Sequence, residues 1–90
     1  MMDTLFLLKE EAGLSNRDVA ALLNVTPVMV QRYKNGVTYR NKPRLIRVVG
    51  LIKLLIEKGY LPLQNHTDRA ALLKKAWGQV APTQPEVMYK

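Results

Sequence analysis

Two helix-start signals in the first half of the sequence constrain the fold most. Ser15 begins the first, and the acidic Asp18 three residues on makes a variant of the capping box. Thr26 followed by Pro27 begins the second, because a hydroxyl can cap a helix and proline is tolerated at its first position. Asn24 lies between them, and asparagine tolerates a left-handed backbone better than most other non-glycine residues. These signals predict two short helices joined by a tight corner.

Apolar residues support both helices and give each an inner face. The second helix of the chain is predicted from about 16 to 23, with an apolar face made of Val19, Ala20, Leu22 and Leu23. The third is predicted from 27 to 34, where Val30 and Tyr33 point inward at i, i+3 spacing and an Asn-Gly pair ends the helix. The pattern is that of a helix-turn-helix.

Three further helices are predicted around this pair. They run from Asp3 or Thr4 to Ala12, from Pro43 to Lys58, and from Thr67 or Asp68 to Trp77. We therefore expect an all-α fold, a compact domain of four to five helices, because 90 residues leave room for one modest core. We divide the chain into a helix-turn-helix domain at 1–59, a helical extension at 60–78 and a flexible tail at 79–90, where prolines stand among polar residues.

The predicted fourth helix is unusually apolar. One broad face contains Leu45, Val48, Val49, Ile52, Leu55 and Ile56. Ile46, Leu51 and Leu54 lie outside that face, which implies a second apolar contact. Two alternatives remain open at this point: the extension at 60–78 packs on the fourth helix, or it forms the contact between two copies of the chain.

Basic charge is concentrated in one part of the chain. The net charge is +7, and no acidic residue occurs between Asp18 and Glu57. That interval holds seven of the fourteen basic residues, namely Arg32, Lys34, Arg40, Lys42, Arg44, Arg47 and Lys53. Such segregation is typical of a domain that binds a polyanion, although a basic face can also serve solubility alone. Because this basic interval includes the third helix, binding to a polyanion is favoured over a role in solubility alone.

The helix pair resembles the Cro/CI-type, or lambda-repressor-like, helix-turn-helix family. Ala20, Asn24, Val30 and Tyr33 fall where that family keeps a small residue, a turn residue and two apolar core residues. The family usually has glycine at the turn, where this chain has Asn24. The resemblance covers roughly residues 5–58, and it implies a lambda-repressor-like fold whose partner is double-stranded DNA.

Base readout is expected from the outward positions of the third helix. By resemblance, family members read bases from the positions of Pro27, Val28, Gln31 and Arg32. The first two side chains are apolar and suit a thymine methyl group. Gln31 can form two hydrogen bonds with adenine, and Arg32 can form two with O6 and N7 of guanine. The alternative for Arg32 is a phosphate contact.

Contacts to the DNA backbone are expected around that helix. Asn16 matches a family position that contacts phosphate at the start of the second helix, although it can also act purely as part of a helix start. The other candidates are Lys34, Asn35, Tyr39, Arg40, Lys42 and Arg44. Each of these can instead be solvated surface.

Other classes of function are disfavoured. The chain has no cysteine and one histidine, and its carboxylates are not paired at catalytic spacing, so we expect no enzyme activity, metal, cofactor or small-molecule ligand. The first residues lack a secretory signal and no segment is long enough to span a bilayer, so we expect a cytoplasmic protein without membrane contact.

The expected function is sequence-specific regulation of transcription. We expect a repressor or autoregulator of the phage or mobile-element kind that binds an inverted-repeat operator as a homodimer. The first alternative is a DNA-binding adaptor in packaging or replication that works by oligomer assembly. The second is a membrane-surface protein that uses the basic, apolar fourth helix, a hypothesis in which the capped corner has no purpose.

Overall fold

A computed structural model describes residues 1–80 and contains five α-helices in that range, with no strand. They are α1 (Met2–Glu11), α2 (Asn16–Leu23), α3 (Pro27–Lys34), α4 (Lys42–Glu57) and α5 (His66–Val80). The predicted all-α fold is confirmed, and the bounds of α2 and α3 agree with the prediction. At 1–80, no helix is long and apolar enough to cross a membrane.

Both helices of the central pair begin as their caps predict. The Ser15 hydroxyl accepts a hydrogen bond from the Asp18 backbone N–H at 3.2 Å. The Asp18 carboxylate accepts one in return from the Ser15 backbone N–H at 2.9 Å, which completes the capping box. At α3, the Thr26 hydroxyl accepts from the Met29 N–H at 3.4 Å. Because these bonds join residues three apart, they could be predicted from the local sequence.

The corner between α2 and α3 is left-handed at Asn24. Its backbone has φ 61° and ψ 47°, and its N–H donates to the Ala20 carbonyl. Asn24 is the one non-glycine residue with positive φ in the described part of the chain. The corner therefore requires a residue that tolerates this left-handed conformation.

We expect substitutions at Asn24 to separate backbone strain from side-chain chemistry. Asn24→Gly should change the free energy of unfolding little, because glycine adopts this conformation freely. Asn24→Val should lower it by about 1–2 kcal/mol, since a β-branched side chain is strained at positive φ. Urea denaturation measures both. Equal stability of the Gly and Val variants would contradict a requirement for the left-handed corner.

The hydrophobic core surrounds α4, which packs against α1, α2 and α5. The residues of α4 that are buried are Leu45, Val48, Leu51, Ile52 and Leu55. Leu51 lies outside the broad apolar face predicted from the sequence and is nevertheless buried, because neighbouring helices cover α4 from more than one side. Ile46 is 56% exposed and Leu54 is half-buried, so part of the outer surface of α4 remains apolar.

The fifth helix begins earlier and ends later than predicted. Asn65 caps it, with its side-chain oxygen accepting from the Asp68 N–H at 3.0 Å, so α5 starts at His66. The helix packs against α2 and α4, and Leu73 and Ala76 are buried. The predicted tail at 79–90 loses residues 79 and 80 to α5, and the rest of it lies outside the described residues.

Candidate nucleic-acid interface

The outer face of α3 carries the four residues predicted to read bases. Pro27, Val28, Gln31 and Arg32 are all exposed, and Val28 is 64% exposed. The opposite face holds Val30 and Tyr33, which are buried in the core. Because residues three or four apart share a helix face, the structure brings these four side chains together on one solvent-facing surface. We call it the α3 face.

Basic and polar residues border the α3 face. Lys34 ends α3, Asn35 caps it, and Lys42 begins α4 after the connecting loop that contains Arg40. All four residues are exposed. Three of them add positive charge between the end of α3 and the start of α4, and their contacts with a DNA backbone stay predictions.

The structure gives Tyr39 a different role from the predicted phosphate contact. Its side chain is buried, and its hydroxyl donates a hydrogen bond of 2.8 Å to the Leu23 carbonyl. The ring packs edge-on against Tyr33 with centroids 5.3 Å apart. The phenol hydrogen is thus used inside the protein, where it satisfies a carbonyl at the end of α2. Tyr39 holds the loop after α3 onto the helix pair.

Arg44 also makes contacts within the protein. Its Nε donates a hydrogen bond of 2.7 Å to the Leu22 carbonyl, and its guanidinium carbon lies 4.8 Å from the centroid of the Trp77 ring. The side chain is half-buried. Arg44 therefore joins the start of α4 to the end of α2 and to α5, and its contact with the DNA backbone stays a prediction.

The N-terminal turn of α2 holds Asn16, for which a phosphate contact is predicted, and Arg17, whose contact with α5 the sequence does not indicate. Asn16, the first residue of α2, is half-buried. The neighbouring Arg17 is exposed, and its Nη1 lies 3.4 Å from Nε2 of His66 in α5. This contact joins residues that are 49 positions apart, so no local sequence pattern indicates it.

A buried ion pair lies beneath this turn. Asp18 is 3% exposed and Arg69 is 8% exposed, and Arg69 Nε donates to Asp18 Oδ2 at 2.6 Å. Arg69 Nη1 also donates to the Leu63 carbonyl at 2.9 Å. Burial raises the pKa of Asp18, but hydrogen bonds from Ser15 and Arg69 outweigh it and leave that pKa below its ordinary value. Asp18 is therefore ionised and compensated at neutral pH.

The remaining site chemistry is limited in the residues that the structure describes. No group of three or more His, Cys, Asp or Glu side chains is arranged to hold a metal ion within residues 1–80. The features that remain are an exposed recognition-type helix and cations around it. This arrangement suits binding to an extended anionic surface.

Comparison with protein families agrees with this geometry. A family model described as Helix-turn-helix matches residues 6–58, which is more than half of the chain. The match begins within α1 and ends just after α4, so it contains the whole α3 face and leaves α5 outside. Comparisons with curated proteins and with solved structures give no match.

Proposed function

We propose that this chain, which belongs to the Cro/CI-type helix-turn-helix family of DNA-binding transcription regulators, is a sequence-specific repressor that binds an inverted-repeat operator as a homodimer. The proposal extends to a phage or mobile-element regulator that controls its own gene. Repression would be steric, since a dimer that covers promoter DNA excludes polymerase.

The observation that carries the proposal is the composition of the α3 face. Gln31 and Arg32 are exposed on consecutive positions of a helix that presents no acidic residue. Each of these side chains ends in a planar group that can form two hydrogen bonds with one purine base in the major groove. An exposed Val28 beside them supplies an apolar contact suited to a thymine methyl group. A surface kept only for solubility has no use for an exposed valine in that place.

The small size of the α3 face supports a homodimer. One helix of eight residues reads only a few base pairs, so a second copy is needed to distinguish an operator from the rest of a genome. Two-fold symmetry places the two half-sites about one helical turn, or roughly 34 Å, apart.

We expect the full chain to prefer DNA from upstream of its own gene over a scrambled duplex of the same length. Fluorescence anisotropy across a salt series measures both affinities. Phosphate contacts weaken with salt for every sequence, whereas base contacts preserve the preference. Equal binding of both duplexes, lost together as salt rises, would contradict sequence-specific regulation by that DNA.

Oligomeric state tests the second part of the proposal. Sedimentation of the protein–operator complex should give two chains per duplex, and a footprint should show two protected half-sites related by a dyad. A closed ring of more than two chains would instead support an adaptor that acts by assembly. One protected half-site with one chain would contradict the homodimer.

A further inference from the structure

Four ionisable side chains meet where α5 lies against the N-terminal turn of α2. His66 is the only histidine of the chain, and about half of its side chain is exposed. Its Nε2 lies 3.4 Å from Arg17 Nη1, and its Nδ1 lies 3.5 Å from Arg69 Nη2 and 3.9 Å from Asp18 Oδ1. None of the contacts expected at the α3 face uses this cluster.

Among the described residues, no carboxylate compensates the charge of Arg17. Arg69 and Asp18 form a buried pair at 2.6 Å and cancel each other. Arg17 has the imidazole as its neighbour, which carries no negative charge in either protonation state. An exposed cation is thus held beside Asn16, at the position where a backbone phosphate is expected.

The hydrogen-bond roles of the imidazole depend on its protonation. A neutral ring has one accepting nitrogen, so it can accept a hydrogen bond from Arg17 through Nε2 or from Arg69 through Nδ1, but not from both. In the protonated ring both nitrogens are donors, so Nε2 can no longer accept from Arg17. Arg17 Nη1 and His66 Nε2 then become two adjacent donors without a shared acceptor, and a phosphate oxygen supplies one.

We infer that Arg17 and protonated His66 together bind a DNA backbone phosphate, so that the affinity for DNA rises as pH falls. The inference rests on the proposed DNA binding and adds α5, which lies outside the family match, to the interface. The proton comes from solvent. A bound phosphate places a negative charge beside Arg17 and the imidazole, and this charge favours the protonated ring over the neutral one.

Linkage sets the size of the effect. One proton taken up on binding changes affinity by at most tenfold per pH unit, and we expect about a tenfold gain in total between pH 8 and pH 6. Asp18 stays ionised throughout this range because its pKa lies below its ordinary value. Since the chain has a single histidine, His66→Gln removes its one imidazole.

The test uses the full chain and a fluorescent duplex of scrambled sequence, because a phosphate contact does not depend on base sequence. Wild type should bind more tightly at pH 6 than at pH 8, while His66→Gln should bind equally at both and match wild type at pH 8. Arg17→Met should bind more weakly at each pH and reduce the slope of log affinity against log salt by about 0.9. Lys58→Gln removes a charge at the far end of α4 and should leave the pH response unchanged.

Thermal unfolding of each variant at both pH values controls for loss of fold. A pH response that persists in His66→Gln, or a salt slope unchanged in Arg17→Met, would overturn the inference. Absence of duplex binding by wild type at every pH would overturn both the inference and the proposed function. A pH response without preference for upstream DNA would contradict only sequence-specific regulation by that DNA.

Discussion

Replacing Arg69 with methionine should lower the free energy of unfolding at pH 7 by roughly 3 kcal/mol, because it leaves a buried carboxylate without its partner. Asp18 is 3% exposed and receives a 2.6 Å hydrogen bond from Arg69. The Ser15 N–H and hydroxyl still bond to the carboxylate in the variant, so we place the loss at the lower end of the range for broken buried pairs. Urea denaturation measures the change.

A double-mutant cycle separates this effect from lost packing. Asp18→Asn removes the charge and keeps an oxygen that can accept from the Ser15 N–H. The combination of Asp18→Asn with Arg69→Met should therefore be more stable than Arg69→Met alone. If the double variant is instead destabilised by the sum of the two single changes, the pair is not coupled and Arg69 stabilises the fold by other contacts.

The pH dependence of this effect has a definite sign. The folded-state pKa of Asp18 lies below its ordinary value of 3.8, so its contribution to stability is present above that pH and is lost as pH falls through the folded pKa. The stability gap between wild type and Arg69→Met should therefore narrow as pH falls toward the folded-state pKa of Asp18 in the wild type. Urea denaturation at a series of pH values measures the gap, and a gap that stays constant would argue against a charge effect.

The helix pair could be predicted from sequence because its determinants are local. Ser15 and Asp18 cap α2 from positions three apart, and Thr26 and Pro27 begin α3 side by side. Asn24 adopts the left-handed conformation that its residue type favours. Each of these signals acts within one turn of helix, so no knowledge of tertiary structure is needed to interpret it.

The structural roles of Tyr39, Arg44 and Arg69 could not be predicted in this way. Arg69 meets a partner 51 positions away, and the partners of Tyr39 and Arg44 are carbonyl groups of α2 that every residue possesses. Residue type alone does not tell whether an arginine side chain is exposed or buried. The acidic residue among the apolar residues of α2 was the one available signal, since a carboxylate there needs a cation from elsewhere.

Leu51 illustrates a limit of predicting burial from a helical wheel. A helical wheel assumes one apolar face directed at one core, and under that assumption Leu51 falls outside it. In the structure α4 packs against three helices, so its buried surface is wider than any single face and Leu51 is fully covered. The α3 face was predictable for the opposite reason, because α3 is packed on one side only and its outward residues follow from its period.

Arg32→Ala should weaken binding to the operator by about 1–3 kcal/mol and relax specificity at one base pair. The reason is that its guanidinium can donate two parallel hydrogen bonds to guanine O6 and N7, an arrangement that no other base pair presents in the major groove. Arg32 is exposed, and its neighbour Tyr33 is anchored in the core, which fixes the helix that carries it. Anisotropy on operators with each base pair changed in turn identifies the affected position.

Lys42→Ala is the matched control, because it removes one exposed cation beside the α3 face without removing a paired donor. Its loss should weaken binding to operator and scrambled duplex alike, since a phosphate contact carries no sequence information. The ratio of the two affinities should therefore fall in Arg32→Ala and stay constant in Lys42→Ala. If Arg32→Ala also leaves the ratio constant, Arg32 contacts phosphate, and specificity must come from Gln31 and the apolar contacts of the same face.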